Sequence, residues 1–175
     1  MIRINANELK LYAKQLNAGD EVLLSGVIYT ARDAAHKRLM ALIDEGKELP
    51  FDIDCAVIYY AGPTPAKDSL AVGSCGPTTS SRMDVYAPRL YDLGLSATIG
   101  KGGRNKDVVN SIVRNEALYF CALGGAGALA SKCIKKCDVI AFDDLGCESV
   151  KRFEIVDFPL YVGIDTKGNS IFKEV

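Results

Sequence analysis

Hydrophobic and polar positions along the chain alternate between a pattern typical of strands and one typical of helices. Apolar runs that suit buried strands occur at residues 21–29, 56–61, 97–99, 118–123 and 139–142. Between these runs, apolar residues three and four apart indicate helices at residues 9–18, 33–45, 105–113 and 128–134, with a further helical stretch that Pro88 must interrupt or restart. This alternation predicts an α/β protein.

Local signals place the ends of these helices. Leu9, Tyr12 and Leu16 share one face of the opening helix, which Gly19 ends. Asp33 is expected to cap the second helix, and Gly46 to end it. Asn105 or Lys106 begins the later amphipathic helix, and residues 124–127 form a turn of small residues before the last one.

The C-terminal part of the chain has a different pattern. Residues 153–156, 160–164 and 171–172 look like antiparallel strands, and residues 165–169 form the turn that joins the last two. No repeat, low-complexity tract or linker interrupts the sequence. Residues 1–175 are therefore expected to form a single α/β domain with an antiparallel β end.

Composition narrows the class of protein. The 175 residues suffice for one domain, and 49% hydrophobic with 25% charged residues is ordinary for a folded protein. The net charge of −1 gives no overall attraction to nucleic acid. The N-terminus lacks a signal-peptide core, and no apolar run approaches the ~20 residues that span a bilayer. We expect a cytoplasmic protein that binds neither nucleic acid nor membrane.

Six cysteines need an interpretation in such a protein. Cys55, Cys121 and Cys137 border or lie in apolar runs, so they are expected to be small buried hydrophobic residues. Cys133 and Cys137 are four residues apart, but no further Cys or His follows with the spacing of a metal site. Cys75 precedes a polar turn and is the thiol expected nearest to a ligand. No metal ligated by this chain alone is predicted.

Three turns carry the candidate chemistry, and each comes near the end of an apolar run. They read TARDAAHKR at residues 30–38, GPTTSSRMD at 76–84 and IGKGGR at 99–104. Backbone N–H groups, hydroxyls, guanidinium groups and an ammonium group all bind anions. Together the turns predict half of a site for a small anion with several charges.

Each turn also has a simpler interpretation. One hydroxyl among residues 78–80 could cap a helix, although a single cap would not explain four hydroxyls beside an arginine. Lys101 lies among glycines, but the spacing of a phosphate-binding P-loop is absent, as is the dinucleotide pattern at residues 124–127. His36, the only histidine, could orient Arg32 or transfer a proton.

The three motifs, in this order and spacing, resemble the β subunit of class I fumarate hydratase, or the C-terminal domain of its one-chain members. The related L-tartrate dehydratase β subunit shares the pattern. The resemblance covers nearly the whole chain, including residues 144–146, 156–159 and 165–169. It implies a swivelling β/β/α domain and an iron–sulfur hydro-lyase of the tricarboxylic acid cycle, which interconverts fumarate and (S)-malate.

The resemblance also implies a division of labour between two chains. A [4Fe-4S] cluster would be held by an α subunit and not by this chain, which alone would be inactive. The partner would form a hetero-oligomer with it, of which two α and two β subunits are one arrangement. Cys147 stands where the family commonly has methionine.

Site residues are carried over from the motifs of that family. Thr78 would be the catalytic base, with Lys101 also catalytic. Substrate carboxylates would be bound by Arg32, Arg82 and Lys101, with Thr79 and Ser80 beside them. His36 and Asp33 would support these residues.

Other functions stay open at this point. L-tartrate dehydration is the near alternative. A stand-alone domain that binds an anion or regulates another protein belongs to a different class, and so does a phosphotransfer domain that uses His36. An enzyme subunit is preferred over a stand-alone domain because Thr78, Arg82 and Lys101 are all present.

Overall fold

A computed structural model describes residues 1–67, 69–122 and 127–172. Its strands are β1 (Ile2–Asn5), β2 (Glu21–Thr30), β3 (Val57–Tyr59), β4 (Ala97–Gly100), β5 (Leu118–Cys121), β6 (Ile134–Ala141) and β7 (Val150–Ile164). Its α-helices are α1 (Leu9–Tyr12), α2 (Asp33–Asp44), α3 (Ala87–Asp92), α4 (Lys106–Arg114) and α5 (Gly127–Cys133). Short 3₁₀ turns cover Ala6–Glu8, Ala13–Gln15, Ser80–Met83 and Asp143–Glu148.

The strands form a single mixed sheet that closes on itself. Strands β1 to β5 are parallel neighbours in chain order. Strand β7 runs antiparallel to β5 and also pairs antiparallel with β2, so β2, β3, β4, β5 and β7 make a closed ring. Strands β1 and β6 lie outside that ring. The α/β class and the antiparallel C-terminal part are confirmed, and the sheet is barrel-like.

Two predicted strands, 153–156 and 160–164, are one continuous fifteen-residue strand, β7. The polar break between them is absorbed by a bulge, where Asp157 takes a positive φ of 50°. Its N–H donates to Ser25 Oγ at 2.9 Å, opposite a shift of register in β2. A bulge adds one residue to a strand without ending its pairing with the neighbouring strand. The two predicted strands are therefore continuous.

Two clusters of buried apolar side chains pack on the two faces of the sheet. One includes Leu24, Phe120 and Phe153, together with Leu9 and Leu16 from the segment that opens the chain. The other joins the opposite face to helices α2, α3 and α4 through Leu39, Leu90 and Ile112. Successive residues of a strand face opposite sides, so Ile58 and Tyr59 belong to different clusters.

The opening segment differs from its prediction in two ways. Strand β1 was missed, and the predicted helix is only the four residues of α1 between two 3₁₀ turns. Leu9 and Leu16 are buried as predicted, but Tyr12 is exposed. Four residues are too few for a strand's alternation to be seen in sequence.

The later helices follow the sequence signals closely. Helix α2 begins at Asp33, and Gly46 follows its end with a left-handed φ of 66°. The Asn105 side chain caps α4 by accepting from Val108 N at 3.0 Å. Pro88 stands in the first turn of α3, where a missing N–H costs least.

Three smaller predictions need comment. Residues 171–172 form no strand, and the last pairing is a single bridge between Ile164 and Ser170. Strand β6 begins at Ile134, five residues before its predicted start. Residues 124–126 of the predicted small-residue turn lie outside the described residues.

Within the described part of the chain, every helix is too short or too polar to cross a bilayer.

Candidate functional site

The loops that carry the three motifs meet at one edge of the sheet. Strands β2, β3 and β4 are parallel, so their carboxyl ends and the loops that follow them lie together. Thr30 at the end of β2 pairs with Lys151 near the start of β7, which brings the segment before β7 to the same edge. Arg32, Gly62, Lys101 and residues 143–149 thus come from four separate parts of the chain.

The turn at residues 76–84 is fixed to this edge by backbone hydrogen bonds. Thr78 N donates to Tyr60 O at 2.7 Å, and Ser80 N donates to Lys101 O at 2.9 Å. Thr79 and Lys101 form a parallel bridge between them. Thr78 is half-buried and Thr79 is exposed. The turn therefore brings Thr78 and Thr79, neither of them fully buried, close to the backbone of Lys101.

The capping interpretation of these hydroxyls does not hold in the structure. Thr79 stands at the N-cap of the 3₁₀ turn Ser80–Met83, yet its side chain makes no capping hydrogen bond. A hydroxyl with no duty to its own backbone is free to bind a ligand.

Ser80 lies beneath the turn rather than on its surface. Its side chain is fully buried, and its Oγ is 2.8 Å from the hydroxyl of Tyr119. A Cβ at position 100 would overlap that Oγ, so Gly100 leaves the space that Ser80 occupies. Of the four hydroxyls of the motif, this one is already used inside the protein.

Lys101 follows β4 and is exposed to solvent. Its ammonium group has no carboxylate partner among residues 1–67, 69–122 and 127–172. A mobile cation on a glycine-rich turn can follow a ligand carboxylate.

Arg82 joins the turn to the start of α2. Its Nε donates to Asp33 Oδ1 at 3.0 Å, and its Nη2 donates to Asp33 Oδ2 at 2.7 Å. The prediction that Asp33 caps α2 is wrong: Arg32 is the N-cap residue, with no side-chain cap, and the Asp33 carboxylate holds Arg82. The carboxylate still lies at the positive end of the helix dipole, which favours it.

Arg32 lies between the loop after β3 and the segment before β7. A Cβ at position 62 would approach the Arg32 side chain at 3.2 Å and the Cys147 carbonyl oxygen at 3.1 Å, so Gly62 permits this close packing. Glu148 Oε1 is 3.6 Å from Arg32 Nε, which is an ion pair but not a hydrogen bond. That buried Nε has no acceptor among the described residues.

His36 supports the Arg32 turn from within the protein. Its Nδ1–H donates to Arg32 O at 2.8 Å, and the ring stacks on Tyr86 and meets Tyr60 edge to face. Complete burial lowers the pKa of His36 to about 4, so the ring is neutral near pH 7. A neutral, fully enclosed ring fits the structural interpretation and opposes a phosphotransfer role.

Arg104 was grouped with Lys101 in the sequence, but the structure gives it a different environment. Its side chain is 0% exposed and its Nε donates to Asp84 Oδ1 at 2.6 Å. The guanidinium also donates to Thr98 and Tyr60 and lies over the rings of Tyr60 and Tyr119. Nothing in a single sequence distinguishes this buried cation from an exposed one three residues earlier.

Lys151 is a second buried cation that sequence reasoning missed. Its Nζ donates to the carbonyl oxygens of Gly146, Cys147 and Ser149 and to Ser149 Oγ, at 2.7–3.3 Å. Burial lowers the pKa of this ammonium group. Lys151 thereby holds the segment that packs against Arg32. The sequence did contain a signal for this buried cation: Lys151 lies in a strand whose alternate positions are otherwise apolar.

The cysteines are distributed differently from the prediction. Cys75 is fully buried, and burial raises the pKa of its thiol to about 12. That it is the thiol nearest a ligand stays a prediction. Cys147 is exposed, while Cys55, Cys121 and Cys137 are partly buried. In the described residues, no group of three or more His, Cys, Asp or Glu side chains could hold a metal ion.

A separate cavity of about 410 Å³ lies near the other end of β3. It is lined by residues 5–7, 26–27, 29, 52 and 54–56. The candidate site follows the carboxyl end of β3, so this cavity is not part of it.

Comparison with known proteins shows the family to which the chain belongs. The family model described as "Fumarase C-terminus" matches residues 1–175. The "Putative L(+)-tartrate dehydratase subunit beta" of Methanocaldococcus jannaschii is 42% identical over 168 residues, which cover 93% of this chain and 86% of that protein.

Two fumarate hydratases are also similar. The anaerobic class I fumarate hydratase of Escherichia coli is 37% identical over 96% of this chain and 31% of its own length. Fumarate hydratase 2 of Leishmania major is 35% identical over 96% of this chain and 30% of its own length. The chain thus spans about a third of these fumarate hydratases and most of the tartrate dehydratase subunit. It belongs to the fumarase C-terminal family, whose relatives here carry the names of two hydro-lyases, fumarate hydratase and tartrate dehydratase.

Proposed function

We propose that this chain is the β component of an iron–sulfur hydro-lyase that interconverts fumarate and (S)-malate. The observation that carries the proposal is the meeting of Lys101, Arg82 and Arg32 with the Thr78–Thr79 hydroxyls at one edge of the sheet. Three cations around a polar turn suit a ligand with two carboxylates. The substrate would be a small dicarboxylate.

The cations take separate roles in this proposal. Arg32 is the N-cap residue of α2, and Arg82 bonds to Asp33, the first residue of that helix. Both would hold substrate carboxylates with their planar guanidinium groups. Lys101 would add a mobile charge from the opposite turn. Asp33 would aim Arg82, and His36 would fix the backbone of Arg32.

Proton transfer is assigned to the Thr78 hydroxyl. Removing a proton from the carbon beside a carboxylate builds negative charge on that carboxylate, which nearby cations stabilise best when water is excluded. A threonine hydroxyl is a weak base at its normal pKa. The cations would therefore lower the barrier mainly by stabilising the charge that develops on the substrate.

The iron–sulfur cluster is assigned to a partner chain. Cys75 is enclosed, and the described residues offer no group of ligands for a metal. When bound by an α subunit, the cluster supplies Lewis-acid chemistry to the substrate oxygens. This chain, as one domain over residues 1–175, would swivel to close its cation-bearing edge over that partner.

L-tartrate dehydration is a second candidate, favoured by one specific observation. The tartrate dehydratase relative is similar to this chain over 86% of its own length, whereas the fumarate hydratases extend far beyond the matched region. Both reactions remove or add water at a four-carbon dicarboxylate, so the same cations would serve either substrate.

Activity is expected to require two chains. The purified protein alone should neither hydrate fumarate nor dehydrate L-tartrate, because no ligands for the cluster are provided by its described residues. Mixing it anaerobically with an iron-loaded α subunit should restore activity, measured by loss of fumarate absorbance and by malate formation.

The two substrates distinguish the candidate functions. Faster turnover of fumarate supports the first proposal, and faster turnover of L-tartrate supports the second. Malate formation by the metal-free chain alone would contradict both, as would an assembled iron-loaded complex that acts on neither substrate.

Arg82→Lys is expected to reduce kcat/KM strongly in the assembled enzyme. Lysine keeps the charge but cannot form the two parallel bonds that Arg82 now makes with Asp33. The loss should correspond to about 2–5 kcal/mol of transition-state stabilisation. Steady-state kinetics on the reconstituted complex measure it.

Arg114→Lys is the matched control for this change. Arg114 makes the same paired bonds to Asp92, at 2.7 Å each, at the end of α4. Its replacement should leave kcat/KM unchanged. Near-normal activity of Arg82→Lys would show that Arg82 is a surface residue whose only partner is Asp33.

A further inference from the structure

Tyr119 connects the two turns that carry the proposed site. Its hydroxyl donates to Gly102 O at 2.7 Å and lies 2.8 Å from Ser80 Oγ. A carbonyl oxygen can only accept, so the single phenolic proton is used there, and Ser80 must donate its own proton to the Tyr119 oxygen. The result is a directed chain from Ser80 through Tyr119 to Gly102.

The two ends of this chain belong to the functional turns. Ser80 follows Thr78 and Thr79, and Gly102 follows Lys101. The turns also share the hydrogen bond from Ser80 N to Lys101 O and the bridge between Thr79 and Lys101. Tyr119 therefore adds a side-chain link beneath a backbone link. In the sequence, Gly102 is 17 positions and Ser80 is 39 positions away from Tyr119.

The ring of Tyr119 is itself held rigidly. Tyr119 is fully buried in β5, with Gly163 of β7 close enough that a Cβ there would lie 3.0 Å from the ring. The Arg104 guanidinium group lies over this ring, with its central carbon 4.9 Å from the centroid of the Tyr119 ring. Burial also raises the pKa of Tyr119, so its hydroxyl keeps the proton that bonds to Gly102.

We propose that Tyr119, acting through Ser80 and Gly102, is a positioning residue that holds the turn of Thr78 and Thr79 in place against the backbone of the Lys101 turn. This inference rests on the proposed function, since it assigns a role in the same site. It also reassigns Ser80 from substrate binding to support of the turn. Neither Tyr119 nor Ser80 touches the substrate.

The test uses Tyr119→Phe in the reconstituted, iron-loaded complex. Phenylalanine keeps the ring and removes only the hydroxyl that joins the turns. We expect kcat to fall about 10- to 100-fold, because small misplacements of catalytic groups carry large costs in rate. KM should change much less, since the cations that bind substrate remain.

Tyr91→Phe is the matched control. Tyr91 is equally buried, and its hydroxyl also makes two hydrogen bonds, to Thr98 Oγ1 at 2.7 Å and Leu118 O at 3.0 Å. It contacts neither functional turn through those bonds. Both variants should lose about 2–8 °C in Tm, and only Tyr119→Phe should lose kcat.

Ser80→Ala provides a second test should Tyr119→Phe fail to fold. It breaks the same chain at its other end, so its loss of kcat should match that of Tyr119→Phe. The kcat of the double variant should be no lower than that of either single variant, because each single change already breaks the same link between the turns.

Hydrogen exchange of the complex gives a readout that does not depend on turnover. Amides at residues 78–83 and 100–104 should exchange faster in Tyr119→Phe than in Tyr91→Phe. Equal exchange in the two variants, or a normal kcat in Tyr119→Phe, would overturn the inference. A wild-type complex with no activity would refute the proposed function, and faster exchange in Tyr119→Phe would still support the link between the turns.

Discussion

Replacing Lys101 with methionine is expected to lower kcat/KM of the assembled enzyme by about 30- to 4000-fold, the equivalent of about 2–5 kcal/mol. The side chain is exposed and has no ion-pair partner in the described parts of the chain. Its charge therefore contributes little to folding and is available to a substrate carboxylate. Methionine keeps a similar length, so the measurement isolates the charge.

Lys106→Met is the control for this prediction. Lys106 is also exposed, begins α4 and lies five residues further along the chain. Its replacement should leave both kcat/KM and Tm nearly unchanged. Equal activity of the two variants would exclude Lys101 from the site, whatever the reaction proves to be.

Replacing Arg104 with leucine should have the largest effect on stability, about 3–5 kcal/mol. The change leaves the Asp84 carboxylate, only 6% exposed, without the cation that now bonds it at 2.6 Å. For a chain of this size the loss corresponds to about 6–20 °C in Tm. Thermal unfolding of the purified protein measures it.

Arg89→Leu is the exposed counterpart. Arg89 pairs with Asp44 at 2.5 Å, but both side chains are about half exposed. Surface pairs of this kind contribute less than about 1 kcal/mol, so Tm should fall by only a few degrees. If Arg104→Leu yields no soluble protein, Arg104→Lys should restore part of the stability because it keeps a charge near Asp84. Equal stability of Arg104→Leu and Arg89→Leu would contradict the assignment of Arg104 to the buried network.

Most regular elements of the fold could be predicted because their signals are local. Helix α4 shows this: Asn105 caps it, and Val108 and Ile112 face the core four residues apart. Strand β7 shows the limit, since a bulge at Asp157 turns two predicted strands into one. The pairing with β2 that makes the bulge tolerable involves residues more than 100 positions away.

The candidate site was predicted as three turns, and those turns do meet at one edge of the sheet. Residue types and glycines indicated where anions could bind. Residue types did not show which of the charged side chains are buried. Lys101 and Arg104 belong to one short motif, yet the first is exposed and the second is enclosed between two tyrosine rings.

The sequence by itself determined the alternation of helices and strands, the family, and the three motifs from which the site is made. Tertiary structure alone decided the partners of those motifs: Arg82 with Asp33, Ser80 with Tyr119, and Lys151 with the 146–149 segment. The physical reason is that periodicity and capping act within a few residues, whereas these pairs depend on strand order and register. Closing the ring through β7 brings the start of that strand to the carboxyl end of β2, and no local pattern encodes that contact.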